Sequence, residues 1–196
     1  MVTQQSIVLR VLLDSEKKED IYRDIKISDT ASFQNLGDAI LNAFGFTGHE
    51  ASSFVRVTRS WEPMANEDYD SMSDSDLPTM EIQQEMFVDD PKSPHMGNTL
   101  LNQVFNKVGS NILFTYDLLK NWRFLIVATE IIDEKQAQPE VILIHGEAPA
   151  EESKEIDFNF DNMAKNERSM ASNDFDDDDD DEFADGWMDE YETDDY

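Results

Sequence analysis

The start of the chain contains two segments whose apolar patterns are typical of strands in a sheet. Residues 6–13 (SIVLRVLL) form an apolar run rich in β-branched side chains, which predicts a strand. Residues 21–27 (IYRDIKI) place Arg23 and three isoleucines on one face and Tyr, Asp and Lys on the other. This alternation predicts a second strand, antiparallel to the first across the polar segment 14–20.

A helical spacing of apolar residues follows the second strand. Helix-capping candidates occupy residues 28–32, and apolar positions then recur every three or four residues up to Phe44. Gly45 is placed to end this helix in a left-handed conformation. Residues 53–58 (SFVRVT) predict a third strand.

The second half of the domain begins with an irregular acidic insertion at about residues 60–98, in which only residues 80–88 resemble a strand. Residues 99–107 (TLLNQVFNK) have the apolar spacing of a second, short helix. Three further apolar runs predict strands, at residues 111–116, 122–132 and 141–144.

These elements predict an α+β fold in which two helices cover one face of a mostly antiparallel sheet. The pattern assigns residues 1–146 to the folded domain. Residues 147–196 are then an acidic, aromatic-containing C-terminal tail that we expect to be disordered, because the composition changes at Glu147.

Negative charge is concentrated at the C-terminal end. Residues 151–196 hold 20 of the 44 aspartates and glutamates but only three of the 15 lysines and arginines, in a chain of net charge −29. Such a segment repels itself and has little apolar surface to bury. Its charge favours a partner with a basic protein surface, and we expect no direct binding to nucleic acid.

Composition also bounds the compartment. The absence of cysteine excludes disulfides and cysteine-ligated metals and is consistent with a reducing compartment. The apolar run at residues 7–13 is short and contains Arg10, and no run approaches the roughly 20 residues that span a bilayer. We therefore expect a soluble, cytoplasmic protein without membrane contact.

Three segments of the chain resemble motifs of one protein family. They are EDIYRDIKI, the helix that ends in AFGF, and YDLLKNW. Together they resemble the plasmid pRiA4b ORF-3-like family, also described as passenger (TnpR-type) proteins of insertion elements, in which an IWRR-type strand, a helix ending in FGW and a YDFGDxW segment follow in this order. The resemblance covers residues 5–131 and implies an α+β fold. The matching residues are Tyr22, Arg23, Phe44, Gly45, Phe46, Tyr116, Asp117 and Trp122.

The chain departs from this pattern mainly in the third motif. Leu119 and Lys120 stand where the family has Gly-Asp, and Arg123 and Phe124 stand where a glutamate and a histidine often follow the tryptophan. Phe46 replaces a tryptophan. The resemblance therefore implies that most of any polar ligand site of the family is lost here.

We predict no catalytic or cofactor-binding residues. The three histidines, His49, His95 and His145, lie in separate segments, and a general base needs a nucleophile and an orienting group beside it. The common hydrolase, nucleotide-binding and metalloprotease motifs are absent. These histidines are interpreted as ordinary surface or edge residues.

Two acidic features are more simply explained by local structure or by chance. Asp117 is predicted to cap a turn by accepting hydrogen bonds from the backbone amides that follow it, with Tyr116 and Trp122 as packing residues. A calcium-binding loop starting at Asp181 matches the EF-hand pattern at several positions, but its third position is Phe183, which has no oxygen ligand. No dedicated metal site is therefore expected.

The tail also carries aromatic residues, which a purely solvating segment tends to lack. Three of them are spaced by four residues and would form one stripe on a helix. An acidic segment with interleaved aromatics is typical of a segment that folds onto a partner. The predicted partner-binding residues are Phe175, Asp176, Asp177, Asp178, Asp179, Asp180, Asp181, Phe183, Trp187 and Tyr191.

These features favour a non-enzymatic accessory protein. Its folded domain would dock on a larger partner, and its tail would occupy a basic, nucleic-acid-binding surface, for example on RNA polymerase. Two alternatives stay open: an accessory protein of a mobile element that acts with a transposase or recombinase, and a small-ligand-binding or hydrolytic domain. The last requires a deep polar pocket near His49, Asp117 and Trp122, and a filled core there would count against it.

Overall fold

A computed structural model describes residues 5–15, 19–58, 60–62 and 81–156 of the chain. It contains one helix and a seven-stranded sheet in this part of the chain. The elements are β1 (Ser6–Leu13), β2 (Ile21–Ser28), α1 (Phe33–Phe44), β3 (Ser52–Val55), β4 (Glu81–Gln83), β5 (Asn111–Tyr116), β6 (Trp122–Ile132) and β7 (Glu140–His145). The described residues all belong to one compact unit.

All neighbouring strands of the sheet are antiparallel, in the order β4-β3-β5-β6-β1-β2-β7. The predicted pairing of β1 with β2 is confirmed, and β6 lies on the other side of β1. The predicted α+β class with a mostly antiparallel sheet is therefore confirmed. The sheet ends in two different edges: β4 is three residues long, and β7 is six.

The core lies between one face of the sheet and α1. Alternate side chains of β1, β2 and β6 are buried on this face, as the period of two in their sequences predicts. The helix buries Phe33, Leu36, Ile40 and Phe44 against them. Packed aromatic rings contribute much of this core, because each buries a large apolar area and edge-to-face contacts add to it.

The ends of α1 follow the predicted capping chemistry. The Ser32 hydroxyl accepts a hydrogen bond from the amide of Asn35, and the Asn35 side chain accepts one from the amide of Ser32. Gly45 ends the helix with a φ of 77°, a left-handed conformation that costs glycine little. The following Phe46 can therefore turn back, and its amide donates to the carbonyl of Leu41.

The second predicted helix, at residues 99–107, is not observed, so one helix and not two covers the sheet in the described residues. Only Leu101–Gln103 form a single 3-10 turn. The backbone of this segment pairs instead with the connection between β2 and α1: Leu101 donates to Ala31, and Asn102 donates to Asp29. Leu101, Val104 and Phe105 are buried as predicted, but Leu100 is exposed. Hydrogen bonds between segments replace those of a helix.

Smaller differences occur around the acidic insertion. The third strand ends at Val55 and does not continue to residue 58. The segment 80–88 contains the three-residue β4 and then a 3-10 turn at Glu85–Phe87. Residues 63–80 lie outside the described part of the chain.

The tail is predicted to begin at Glu147, but the structure differs over the first ten of its residues. Residues 147–156, which we call the strap, follow β7 and contact the end of the sheet, where Glu151 is buried. A buried, hydrogen-bonded carboxylate offsets the loss of backbone entropy on ordering the strap. The predicted partner-binding residues, 175–181, 183, 187 and 191, lie outside the described residues. Within the described ranges, no helix is long and apolar enough to cross a membrane.

Candidate functional site

The three family-like motifs meet at one end of the sheet. Tyr116 ends β5 and pairs with Trp122, the first residue of β6. Phe46, just after α1, packs its ring edge-on against Trp122 at 5.0 Å and lies 6.0 Å from the ring of Tyr116. Both Tyr116 and Trp122 are buried, which confirms their prediction as packing residues.

Arg23, from the first motif, is buried on the helix-facing side of β2. Its guanidinium lies 4.7 Å from the centre of the Phe44 ring, and its Nε donates to the carbonyl of Ala43 near the C-terminal end of α1. Its Nη1 donates to the carbonyls of His145 and Gly146. Burial lowers the pKa of Arg23, while these carbonyls accept hydrogen bonds from its guanidinium and the negative end of the helix dipole favours its positive charge. Arg23 therefore ties the last turn of α1 to the point where the strap begins.

Asp117 forms the turn between β5 and β6. Its carboxylate accepts hydrogen bonds from the amides of Leu119 and Lys120, as predicted. Its φ of 59° places it in the left-handed region, which aspartate tolerates better than most residues. The Lys120 ammonium lies 3.7 Å from the same carboxylate. The turn thus points Lys120 towards the strap.

The strap places Glu151 against these motif residues. One carboxylate oxygen accepts a hydrogen bond of 2.7 Å from the amide of Thr47. The other accepts 2.6 Å from the Tyr116 hydroxyl and 3.1 Å from the Thr47 hydroxyl. A buried carboxylate with three donors is a strong, directional contact, because charge-assisted hydrogen bonds are stronger than neutral ones.

The ionisation of this pair follows from its surroundings. Burial alone would raise the pKa of Glu151, but hydrogen bonds from Tyr116 and Thr47 outweigh it and hold the pKa below its ordinary value of 4.5. The Lys120 ammonium acts in the same direction. Burial and the hydrogen bond to Glu151 raise the pKa of Tyr116. At neutral pH the contact is therefore an ionised glutamate and a neutral tyrosine.

The backbone and the end of the strap are held as well. The indole N–H of Trp122 and the Lys120 ammonium both donate to the carbonyl of Glu151, at 3.3 and 3.4 Å. The Lys154 ammonium donates to the carbonyl of Asn121 and lies over the Trp122 ring. Each motif thus contributes a contact to the strap or to the residues just before it. Arg23 binds the carbonyls where the strap begins, and Thr47, which follows Phe46, binds Glu151 in the middle of the strap. Tyr116 and Trp122 of the β5–β6 hairpin also donate to Glu151.

The three histidines do not form a site. His49 is exposed, and His145 lies on the edge strand β7 and stacks on Tyr22. His95 is buried and accepts a hydrogen bond from the amide of Gly97 at Nδ1, so its interpretation as a surface or edge residue is wrong. Within residues 5–15, 19–58, 60–62 and 81–156, no group of three or more His, Cys, Asp or Glu side chains is arranged to hold a metal ion.

Glu151, Thr47 and Lys120 are the site residues that sequence reasoning missed. Glu151 is one acid among many, and 104 residues separate it from Thr47. No local pattern distinguishes it from Glu152, which is exposed. The difference in exposure between these two adjacent glutamates arises only from the tertiary fold.

Comparisons with known proteins identify the family and the fold of this chain. The sequence model described as plasmid pRiA4b ORF-3-like protein matches residues 5–196, which confirms the resemblance and extends it beyond residue 131. A crystal structure of MM3350, a protein of unknown function from Methanosarcina mazei Go1, superposes with a TM-score of 0.58 at 17% identity, covering 84% of this chain and 82% of that one. The likeness shows a shared fold. A search of curated proteins found no match.

Proposed function

The chain belongs to the plasmid pRiA4b ORF-3-like family, and from that premise we propose that it is a non-enzymatic accessory protein that holds an acidic tail for a larger partner. The folded domain docks on the partner, and the tail occupies a basic surface that otherwise binds nucleic acid. The observation that carries this proposal is the contact of Glu151 with Thr47 and Tyr116. The motif residues and Thr47 bind the strap, at the place where a small-ligand domain would have its pocket.

The filled state of the motif region supports this proposal over a small-ligand or hydrolytic role. Trp122 is packed against Phe46, and Asp117 is engaged by its own turn. The remaining polar capacity of Tyr116 is used by Glu151 and by the amide of Glu50. A substrate would have to displace the strap before it could reach these groups.

Electrostatics supply the mechanism of the tail. Six consecutive aspartates, Asp176–Asp181, resemble the charge density of a nucleic-acid backbone. Because the tail is covalently tethered to a docked domain, its effective concentration at the partner is raised, up to about the millimolar range. Even if the tail binds the basic groove with low affinity, it can then compete with weakly bound nucleic acid. Tightly bound nucleic acid stays in place. RNA polymerase and a transposase or recombinase are both partners of this kind.

The proposal is tested with the full chain and a variant in which the six aspartates are asparagines. Both are immobilised, incubated with native lysate at rising salt, and the retained proteins are identified by mass spectrometry with and without added DNA. The wild-type chain should retain a nucleic-acid-binding complex that salt and DNA displace, because exposed charge contacts are screened. The asparagine variant should retain much less of it.

A second variant separates charge from anchoring. Replacing Phe183, Trp187 and Tyr191 with serine should weaken retention at every salt concentration and leave the salt dependence unchanged, because aromatics anchor an interface while charges steer it. If the retained proteins were the same for all three chains and insensitive to salt, the tail would have no binding role and the proposal would be wrong.

A further inference from the structure

The edge strand β7 carries an unusual exposed surface. Four consecutive apolar residues, 141–144, lie on it, and their side chains are between 39% and 69% exposed, with Ile144 the most exposed. Val141 and Ile144 pair with Ile25 and Arg23 of β2, so they belong to the helix-facing side of the sheet. Exposed apolar edge strands are costly for a protein to maintain, because they promote pairing with other chains.

The other edge strand of the sheet, β4, is short and partly covered. The strand β4 has three residues, and the carbonyl of Gln83 at its end accepts a hydrogen bond from the amide of Met96. Short edges and covered edges are the usual protections against strand addition. Along β7, the described residues place β2 on one side and no strand on the other.

A groove on the helix-facing side runs beside this open edge. Its volume is about 410 Å³, and Ala39 and Ala43 of α1 form one wall while Ile25, Val141 and Pro139 form the other. Asp38 and Asn42 lie on the helix side of the groove and are exposed. A strand added to β7 would direct alternate side chains towards this groove, with an acid at its rim.

Charge decides which strand fits. The ends of β7 are flanked by the exposed acids Glu140 and Glu147, Asp38 lies at the groove, and the chain as a whole has a net charge of −29. A second copy of the chain would bring the same charge against itself. The acidic segment 157–196 would be repelled in the same way. A basic segment is attracted by every one of these charges.

We propose that β7 is a docking strand that takes an extended, basic segment of a partner protein as an eighth strand of the sheet. The apolar side chains of the partner segment enter the groove beside α1, and the lysines or arginines of that segment contact Asp38, Glu140 and Glu147. This rests on the proposed function only in assuming a partner with basic segments, and it names the surface of the domain that the partner meets.

A synthetic peptide in which lysine and valine alternate serves as the probe. Added to the full chain, it should slow the amide hydrogen exchange of residues 140–145, because the open side of β7 gains hydrogen-bond partners. The same peptide with alternate N-methyl groups, which lacks the donors on one side, should bind at least about tenfold more weakly. A peptide with glutamate in place of lysine should not bind.

Matched variants of the chain locate the site. Ile144→Lys should weaken binding of the lysine–valine peptide roughly tenfold or more, since it replaces the most exposed apolar side chain of β7 with a charge of the same sign as the peptide. Leu118→Lys, at a 79% exposed apolar position in the β5–β6 turn, should leave it unchanged. Equal effects of the two substitutions, or protection of amides elsewhere on the chain, would overturn the proposal.

Two other outcomes also overturn it. If the full chain sediments as a dimer that Ile144→Lys dissociates, the occupant of β7 is a second copy. If the β7 amides are already protected and become exposed when Asp176–Asp181 are replaced by asparagine, the occupant is the tail. The full chain could still retain a nucleic-acid-binding complex in a way that depends on the tail and on salt, while the peptide fails to bind β7. That pair of results would refute this inference and leave the proposed function intact.

Discussion

Glu151 shows how a single residue can decide where a domain ends. Its carboxylate is buried, and each of its oxygens is matched by at least one donor from Thr47 or Tyr116. Removing a buried partner costs more than the hydrogen bond itself is worth, because the groups left behind stay desolvated. The remaining donors would be a backbone amide and two hydroxyls with no acceptor. The position of the strap therefore depends mainly on the side chain of Glu151.

At neutral pH, we expect Glu151→Gln to lower the free energy of unfolding by about 1–3 kcal/mol, because the charge-assisted hydrogen bonds are lost. The folded-state pKa of Glu151 lies below its ordinary value of 4.5, so its contribution is present above that pH and is lost as the pH falls through the folded value. The difference between the two proteins should therefore stay constant above pH 4.5 and shrink below it. Urea unfolding at a series of pH values measures both effects.

Glu152→Gln is the matched control, because Glu152 is the exposed neighbour in the same turn. Exposed substitutions of this kind usually change stability by less than about 0.5 kcal/mol. A cost for Glu151→Gln that equals the control, or that grows on acidification, would mean that the ionised contact does not stabilise the strap.

Elements built on local patterns could be predicted from the sequence, and elements built on distant contacts could not. The bounds of β1, β5 and β6 follow from apolar runs between polar residues, and α1 follows from its caps and apolar spacing. The segment at 99–107 has helical spacing too, but its amides found acceptors at Asp29 and Ala31. The strap has no local pattern that predicts it. Its position depends on the contact between Glu151 and Thr47, which lies far away in the sequence.

The glycines at two element ends give a test of the fold at this scale. Gly45 and Gly146 both have left-handed φ angles, but a Cβ at Gly45 would meet open space, and one at Gly146 would lie 2.8 Å from the carbonyl oxygen of Asp20. Gly45→Ala should cost about 1–2 kcal/mol for the backbone conformation alone. Gly146→Ala should cost about 1–3 kcal/mol more because of the clash.

Denaturant unfolding of the two alanine variants measures this difference directly. The end of β7 and the start of the strap depend on Gly146, whose carbonyl also accepts from Arg23. Equal costs for the two substitutions would show that the strap root is free to move away from β2 at no expense.

The net charge is a property of the whole molecule. Its net charge of −29 includes an excess of acids in the domain as well as in the tail. Charge of this size keeps a protein soluble and monomeric but destabilises its compact state. It also makes any docking on this protein sensitive to ionic strength, whichever of its surfaces a partner uses.

Added salt should therefore stabilise the full chain. Raising the salt from about 0.1 M to 1 M shortens the Debye length from roughly 10 Å to 3 Å. We expect a gain on the order of 1 kcal/mol, or about 2–4 °C in melting temperature. The variant with asparagines at 176–181 should start more stable and gain less, because it has six fewer charges to screen. Scanning calorimetry compares the two, and identical salt responses would contradict long-range repulsion by the tail.

The strand order has a consequence for synthesis of the protein on the ribosome. Of the strands in this sheet, the interior strand β1 is made before the others, yet one of its two neighbours, β6, follows much later: the Thr129 hydroxyl donates to the carbonyl of Val8 across 121 residues. At a translation rate of about 5–20 residues per second, the apolar N-terminal strand waits roughly 6–24 s for that neighbour. During this interval a nascent hairpin of β1 and β2 has an unpaired hydrogen-bonding edge, which is the kind of aggregation-prone surface that chaperones shield.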